Sequence, residues 1–154
     1  MTLTRMVSSG LDDALRPAGF KKKAATWYLQ NDEIIALLNL QKSNYDTTYF
    51  LNLGFWIRAI EDVEFPKHEQ CHVRSRAQTL WPARSPLVAN LLSFTQSTDC
   101  DENRVADIQT FVNEFIIPFL IQGSTLAGLT ELAREHKTLL IRRVAWNALE
   151  IDKA

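Results

Sequence analysis

Cysteine is scarce in this 154-residue chain: Cys71 and Cys100 stand alone, with no CxxC spacing. Two cysteines so far apart make no disulfide framework and read as reduced thiols of a cytoplasmic protein. Charge of one sign is also missing, since 17 Lys and Arg balance 18 Asp and Glu to a net −1. Such a surface has no general attraction for nucleic acid or acidic lipid. Long apolar runs are absent: Phe115 to Ile121 falls well short of the ~20 residues of a membrane span. The N-terminal stretch carries acids early and has no apolar core of signal-peptide length. Phosphate-binding GxxxxGK[ST], dinucleotide-binding GxGxxG and the GxSxG nucleophile elbow are all missing. Neither a cofactor nor a membrane partner is expected.

Hydrophobic residues make up 46% of the chain and charged ones 23%. That is ordinary for a globular domain, and a chain of this length buries roughly 70% of its unfolded surface without staples. No internal repeat, linker or low-complexity tract divides it, so one domain over 1–154 is expected.

Leu3, Val7, Leu11, Ala14 and Leu15 recur at helical spacing, and Pro17 with Gly19 stops that helix. After Lys21, Lys22 and Lys23 the period changes. Strands are predicted over 25–30, 33–42 and 48–58, the last with Tyr49, Leu51, Leu53, Phe55 and Ile57 on one face. Short connections make an antiparallel meander the natural pairing. A loop with Pro66 follows, then a fourth strand over 70–79. Residues 87–94 fit helix or strand. The last third reads as helical. Ser97 to Asp101 offers N-caps, and a stripe runs from Val105 through Ile108, Val112, Phe115 and Ile116 to Phe119, with Pro118 kinking it. A second helix carries Leu126, Leu129 and Leu132. A third is predicted over 138–150, burying Leu140, Val144 and Trp146. The fold class is α+β: an N-terminal helix, an antiparallel sheet of about four strands, and a helical C-terminal third on one sheet face.

Several local patterns occur in a telling order: Gly19-Phe20-Lys21-Lys22, Trp27-Tyr28, Asn39-Leu40-Gln41-Lys42-Ser43, Phe50-Leu51-Asn52-Leu53-Gly54 and Cys71-His72-Val73-Arg74-Ser75-Arg76. Over roughly residues 5–135 this order resembles domain-of-unknown-function family 4304. The resemblance implies a fold and brings no catalytic residue with it.

The sheet's other face is the expected site. His72, Arg74 and Arg76 alternate along the fourth strand about 7 Å apart, and two guanidiniums with an imidazole suit a carboxylate or phosphate. Asn39, Gln41, Asn52, Trp56 and Arg58 fall on the same face by alternation. The competing reading is a solvated face whose arginines pair with Glu61, Asp62 or Glu64. His68, Cys71 and His72 have metal-ligand spacing only if helical, so no metal is expected. Cys71 is expected to be a buried structural residue more than a nucleophile. Glu131, Glu135 and His136 read as a charged helix face with Arg134 and Lys137. Lys21 to Lys23 beside Trp27 and Tyr28 carry the case for nucleic acid, which the balanced charge makes an unexpected partner.

These residues favour a non-enzymatic binding module for a protein partner or small anionic ligand. The alternative is a small hydrolase or phosphate-handling enzyme using His72 with Arg74 and Arg76. A homodimer through Phe50 and Trp56 is the third option.

Overall fold

The computed structural model describes residues 2–94 and 100–150. Helix α1, Leu3–Leu15, is capped by Thr2, whose side chain accepts the Arg5 N–H. It buries the five apolar residues that its spacing predicts. A 3₁₀ turn over Arg16–Ala18 ends at Gly19, whose φ of 98° is the left-handed conformation that glycine adopts without a Cβ clash.

Six strands follow in one antiparallel sheet: β1 Lys21–Lys23, β2 Thr26–Gln30, β3 Ile34–Lys42, β4 Tyr49–Ile57, β5 Val73–Arg76 and β6 Leu140–Ile141. Spatial order equals chain order, so the first five form a meander. The sheet exceeds the expected four strands by its two edges. At β1 the three exposed lysines give no alternation to read, and β6 is two residues long. The fourth strand is shorter than its alternating pattern. A 3₁₀ turn over His68–Gln70 precedes β5, and helix α2, Ala77–Leu80, follows it directly.

The helical part continues with α3, Ser85–Leu92, which settles the ambiguous 87–94 segment as mainly helix. Asp101 caps α4, Glu102–Phe111, by accepting the Arg104 N–H at 2.8 Å. The other cap candidates, 97–99, lie outside the described residues. A π-helical turn over Val112–Ile116 leads into α5, Ile117–Gln122. Pro118 lacks an N–H, and the widened turn places the break just before it, where the sequence predicts a kink. Helix α6, Leu126–Glu135, buries Leu129 and Leu132. The helix predicted over 138–150 does not form. Its place is taken by β6 and a 3₁₀ turn, Arg143–Ala145. Leu140 and Val144 are exposed there, while Leu139, Ala145 and Leu149 are buried. No single helix among the described residues is long and apolar enough to cross a membrane.

The period-2 alternation of β3 and β4 divides the core in two. On the inner face Ile34, Ala36, Leu38, Leu51, Leu53 and Phe55 pack with the helices. The outer face carries a second, smaller cluster of Tyr28, Ile35, Leu37, Trp56 and Cys71 with Val63 against it. That cluster is roofed by the 58–72 segment, which is pinned by side chains from the sheet. Tyr28 donates to the Pro66 carbonyl at 3.1 Å, Trp56 Nε1 to Glu61 at 2.6 Å and Gln30 Nε2 to Glu64 at 2.5 Å.

Gly54 sits under this roof because nothing larger fits. A Cβ there would stand 2.8 Å from Cys71 Sγ and 3.4 Å from a Leu37 methyl. Gly54→Ala is therefore expected to destabilise the protein by about 1–3 kcal/mol through overpacking, measured as a lower urea midpoint with an unchanged slope.

Candidate functional site

Beyond the roof, the outer face turns polar. Thr26, Asn39, Asn52 and Arg76 are directly opposed Cα partners on four successive strands, β2 to β5. Their side chains join into one hydrogen-bonded row. Arg76 Nε donates to Asn52 Oδ1 at 3.3 Å, Asn52 Nδ2 to Asn39 Oδ1 at 3.0 Å, and Asn39 Nδ2 to Thr26 Oγ1 at 3.0 Å. Asn52 Nδ2 also donates to Gln41 Oε1 at 2.9 Å. Asn52 is buried, so its amide has to be partnered within the protein. Arginine can only donate, which fixes the orientation of every amide behind it. Arg76 is further steadied over the Phe50 ring, at 4.1 Å.

Beside the row lies a cleft of about 350 Å³, lined by Asn52, His68, Arg74, Arg76, Thr79 and Thr138 among others. Of the acids offered as arginine partners, Asp62 pairs with Arg58 at 3.1 Å, and Glu61 and Glu64 use backbone carbonyls to hold Trp56 and Gln30. Neither Arg74 nor Arg76 forms an ion pair among the described residues, and the Arg74 guanidinium makes no hydrogen bond there either. Two guanidiniums in a polar-walled cleft, one aimed by a row of amides, form an arrangement suited to an oxyanion.

His68 joins them from the 3₁₀ turn, its Nδ1 3.0 Å from Glu69 Oε2. Burial holds its imidazole below the usual histidine range; Glu69 opposes this, and the charges of Arg74 and Arg76 add to it. In the sequence His68 carries no signal beyond its metal-ligand spacing, because a turn that folds it back over β5 leaves no periodic trace. Thr138 was missed because 138–150 carries helical spacing.

The expected row of His72, Arg74 and Arg76 is broken at His72. That residue is buried under the roof, 1% exposed, and its Nδ1 accepts the Ile57 N–H at 2.8 Å. Its ring packs on Trp56 with centroids 4.2 Å apart. Trp56 is likewise buried beneath the 58–72 segment, so it is no part of an open face or of a dimer patch with Phe50. Asn39, Gln41, Asn52 and Arg76 are brought together, while Trp56 and His72 belong to the second core. Cys71 is buried and burial pushes its thiol up to about 12, which leaves no thiolate at neutral pH. Among the described residues no group of three His, Cys, Asp or Glu is placed to hold a metal ion. Lys22 reaches Ser8 and Lys23 lies over Phe65, while Trp27 and Tyr28 are buried and offer no stacking surface. Glu131, Arg134 and Glu135 are exposed on α6, as a charged helix face requires.

Two consequences are measurable. Asn52→Leu leaves Asn39, Gln41 and Arg76 without their shared partner and is expected to cost about 1–3 kcal/mol in urea unfolding. His72 is held neutral by burial, with Arg142 adding to the effect, and titrates at about 4. A folded-state value below the unfolded one, near 6.5, means that the neutral ring stabilises the fold above pH ~6.5. That contribution, on the order of 2–3 kcal/mol, is lost as pH falls from ~6.5 towards 4. Urea midpoints at pH 7 and 4.5, with imidazole NMR titration, check it. A His72 signal titrating near 6.5 contradicts it.

No curated protein and no solved structure matches the chain. A family model, Domain of unknown function (DUF4304), matches residues 11–122. That span includes the helix α1 terminus, the meander, both arginines and the π turn, and by it the chain belongs to the DUF4304 family.

Proposed function

We propose that this protein is a binding module, not an enzyme, and that the cleft beside β5 takes a small anionic ligand or the anionic group of a partner. The observation that carries this reading is a pair of arginines, Arg74 and Arg76, lining a cleft without a carboxylate partner among the described residues. Structural arginines are ordinarily neutralised where they are held, whereas ligand-binding ones keep donors available. Here the row through Asn52 engages Arg76 at Nε, and no described residue takes its terminal nitrogens. Asn39, Asn52 and Gln41 position; Arg74 and Arg76 bind.

The hydrolase alternative is less well supported because the histidine that it would use, His72, has its Nδ1 committed to the β4 backbone and lies under the roof. A cytoplasmic location goes with the binding reading: both cysteines are buried free thiols.

Arg74→Ala and Arg76→Ala test it together. Arg74→Ala is expected to change unfolding free energy by about 1 kcal/mol or less, and Arg76→Ala by about 1–2 kcal/mol because it also leaves the buried Asn52 Oδ1 without its donor. Each is expected to weaken phosphate or sulfate binding at least tenfold in calorimetry, about 1.4 kcal/mol or more per lost charge-assisted contact. Variants that lose several kcal/mol of stability while binding is unchanged make the arginines structural and sink the reading.

A further inference from the structure

We propose that the cleft takes a dianionic oxyanion of the phosphate and sulfate class, and that the ligand enters together with a proton on His68. This rests on the anion-binding reading above and adds to it the ligand's charge and its pH dependence.

From its own turn, His68 faces Glu69 at 3.0 Å. From β5 it faces Arg74 and Arg76, whose charges act on it. From β4, α2, the segment before β6 and β6 itself the cleft receives Asn52, Thr79, Thr138 and Leu140, none of them ionisable. The charges that act on neutral His68, those of Arg74, Arg76 and Glu69, sum to +1, while Arg142 lies outside the cleft lining and donates to the Gln70 carbonyl. A protonated His68 makes the sum +2, which matches a dianion.

The empty cleft disfavours that proton. Burial costs the charged ring its hydration, and two adjacent guanidiniums repel it, although Glu69 partly compensates. A bound dianion reverses the balance: it neutralises the arginines and adds an acceptor for the imidazolium. Nδ1 is engaged with Glu69, and no described residue takes Nε2, so this second nitrogen is the one left to donate. The ligand therefore raises the proton affinity of His68, and by linkage the proton raises the affinity for the ligand. Binding strengthens as pH falls through the range in which His68 charges. A monocarboxylate gains less, because one negative charge already balances the neutral-histidine cleft.

Sulfate is the probe of choice because it stays fully dianionic between pH 8 and 5.5. The test is isothermal calorimetry on the full chain, wild type and His68→Gln, with sulfate at both pH values and acetate for comparison. The expected result is several-fold tighter sulfate binding at pH 5.5 than at pH 8 for wild type, approaching the about tenfold limit that one unit of coupling sets as His68 becomes fully charged. His68→Gln is expected to lose the pH dependence, and acetate to bind more weakly than sulfate throughout. Glycerol phosphate at pH 8 separates the two sources of the ligand. Tighter binding than sulfate assigns the cleft to phosphate esters and weaker binding to the free ion, and either supports a dianion site. Sulfate that binds wild type equally at both pH values, or a slope that survives in His68→Gln, overturns the coupling and leaves the arginine site standing. No binding of any of these anions at either pH overturns the site itself.

Discussion

The register between β3 and β4 is the constraint on which the rest of this structure depends. Ile34 pairs with Ile57 and Lys42 with Tyr49, nine residues against nine without a bulge. Because side chains alternate, that register aligns two apolar inner rows against the helices and sets the outer rows side by side. A slip by one residue would turn Asn52 into the core and Leu51 out of it. The outer rows change character along their length, from Ile35, Leu37, Gly54 and Trp56 to Asn39, Gln41, Phe50 and Asn52. The apolar half must be covered, and the 58–72 segment covers it. The polar half stays open, and the cleft forms where the two halves meet.

Much of this was legible in the residues. Alternation in 48–58 and helical spacing in 3–16 are strong periodic signals, and both elements form where they should. Asn39, Gln41, Asn52 and Arg76 could be assigned to one face by parity alone, and the structure joins them. Parity does not report what lies on top of a face. His72 and Trp56 have the correct parity and are nevertheless buried, because a non-repetitive segment folds back over them. His68 moves the other way, into the cleft. Its position depends on a 3₁₀ turn and a proline-containing loop, whose contacts are tertiary and have no period. The end of the chain was misread for a related reason. Leu140 and Val144 stand four apart and imitate helical spacing, yet Leu140 pairs with Arg74 as an edge strand and packing overrides the local pattern.

The two histidines flanking Cys71 illustrate how one segment serves two ends. His72 is neutral, satisfied and shielded, and it stabilises the end of β4 in place of a neighbouring strand. His68, four residues earlier, has one nitrogen committed and the other facing no described partner. The roof therefore fixes the second core and also brings a titratable group to the rim of the cleft. Removing the segment would cost the protein a small apolar cluster and the His68 wall of the cleft together.

The amide row has a direction. Every donor in it, from Arg76 through Asn52 and Asn39 to Thr26, points the same way across four strands. Peptide groups in an antiparallel sheet largely cancel one another's dipoles. This row does not cancel: its bond dipoles add, with the oxygen-rich end at β5 and the hydrogen-bearing end at β2. The sheet thus carries, in side chains, a small counterpart of the helix macrodipole, and its negative end is where the guanidinium of Arg76 is moored.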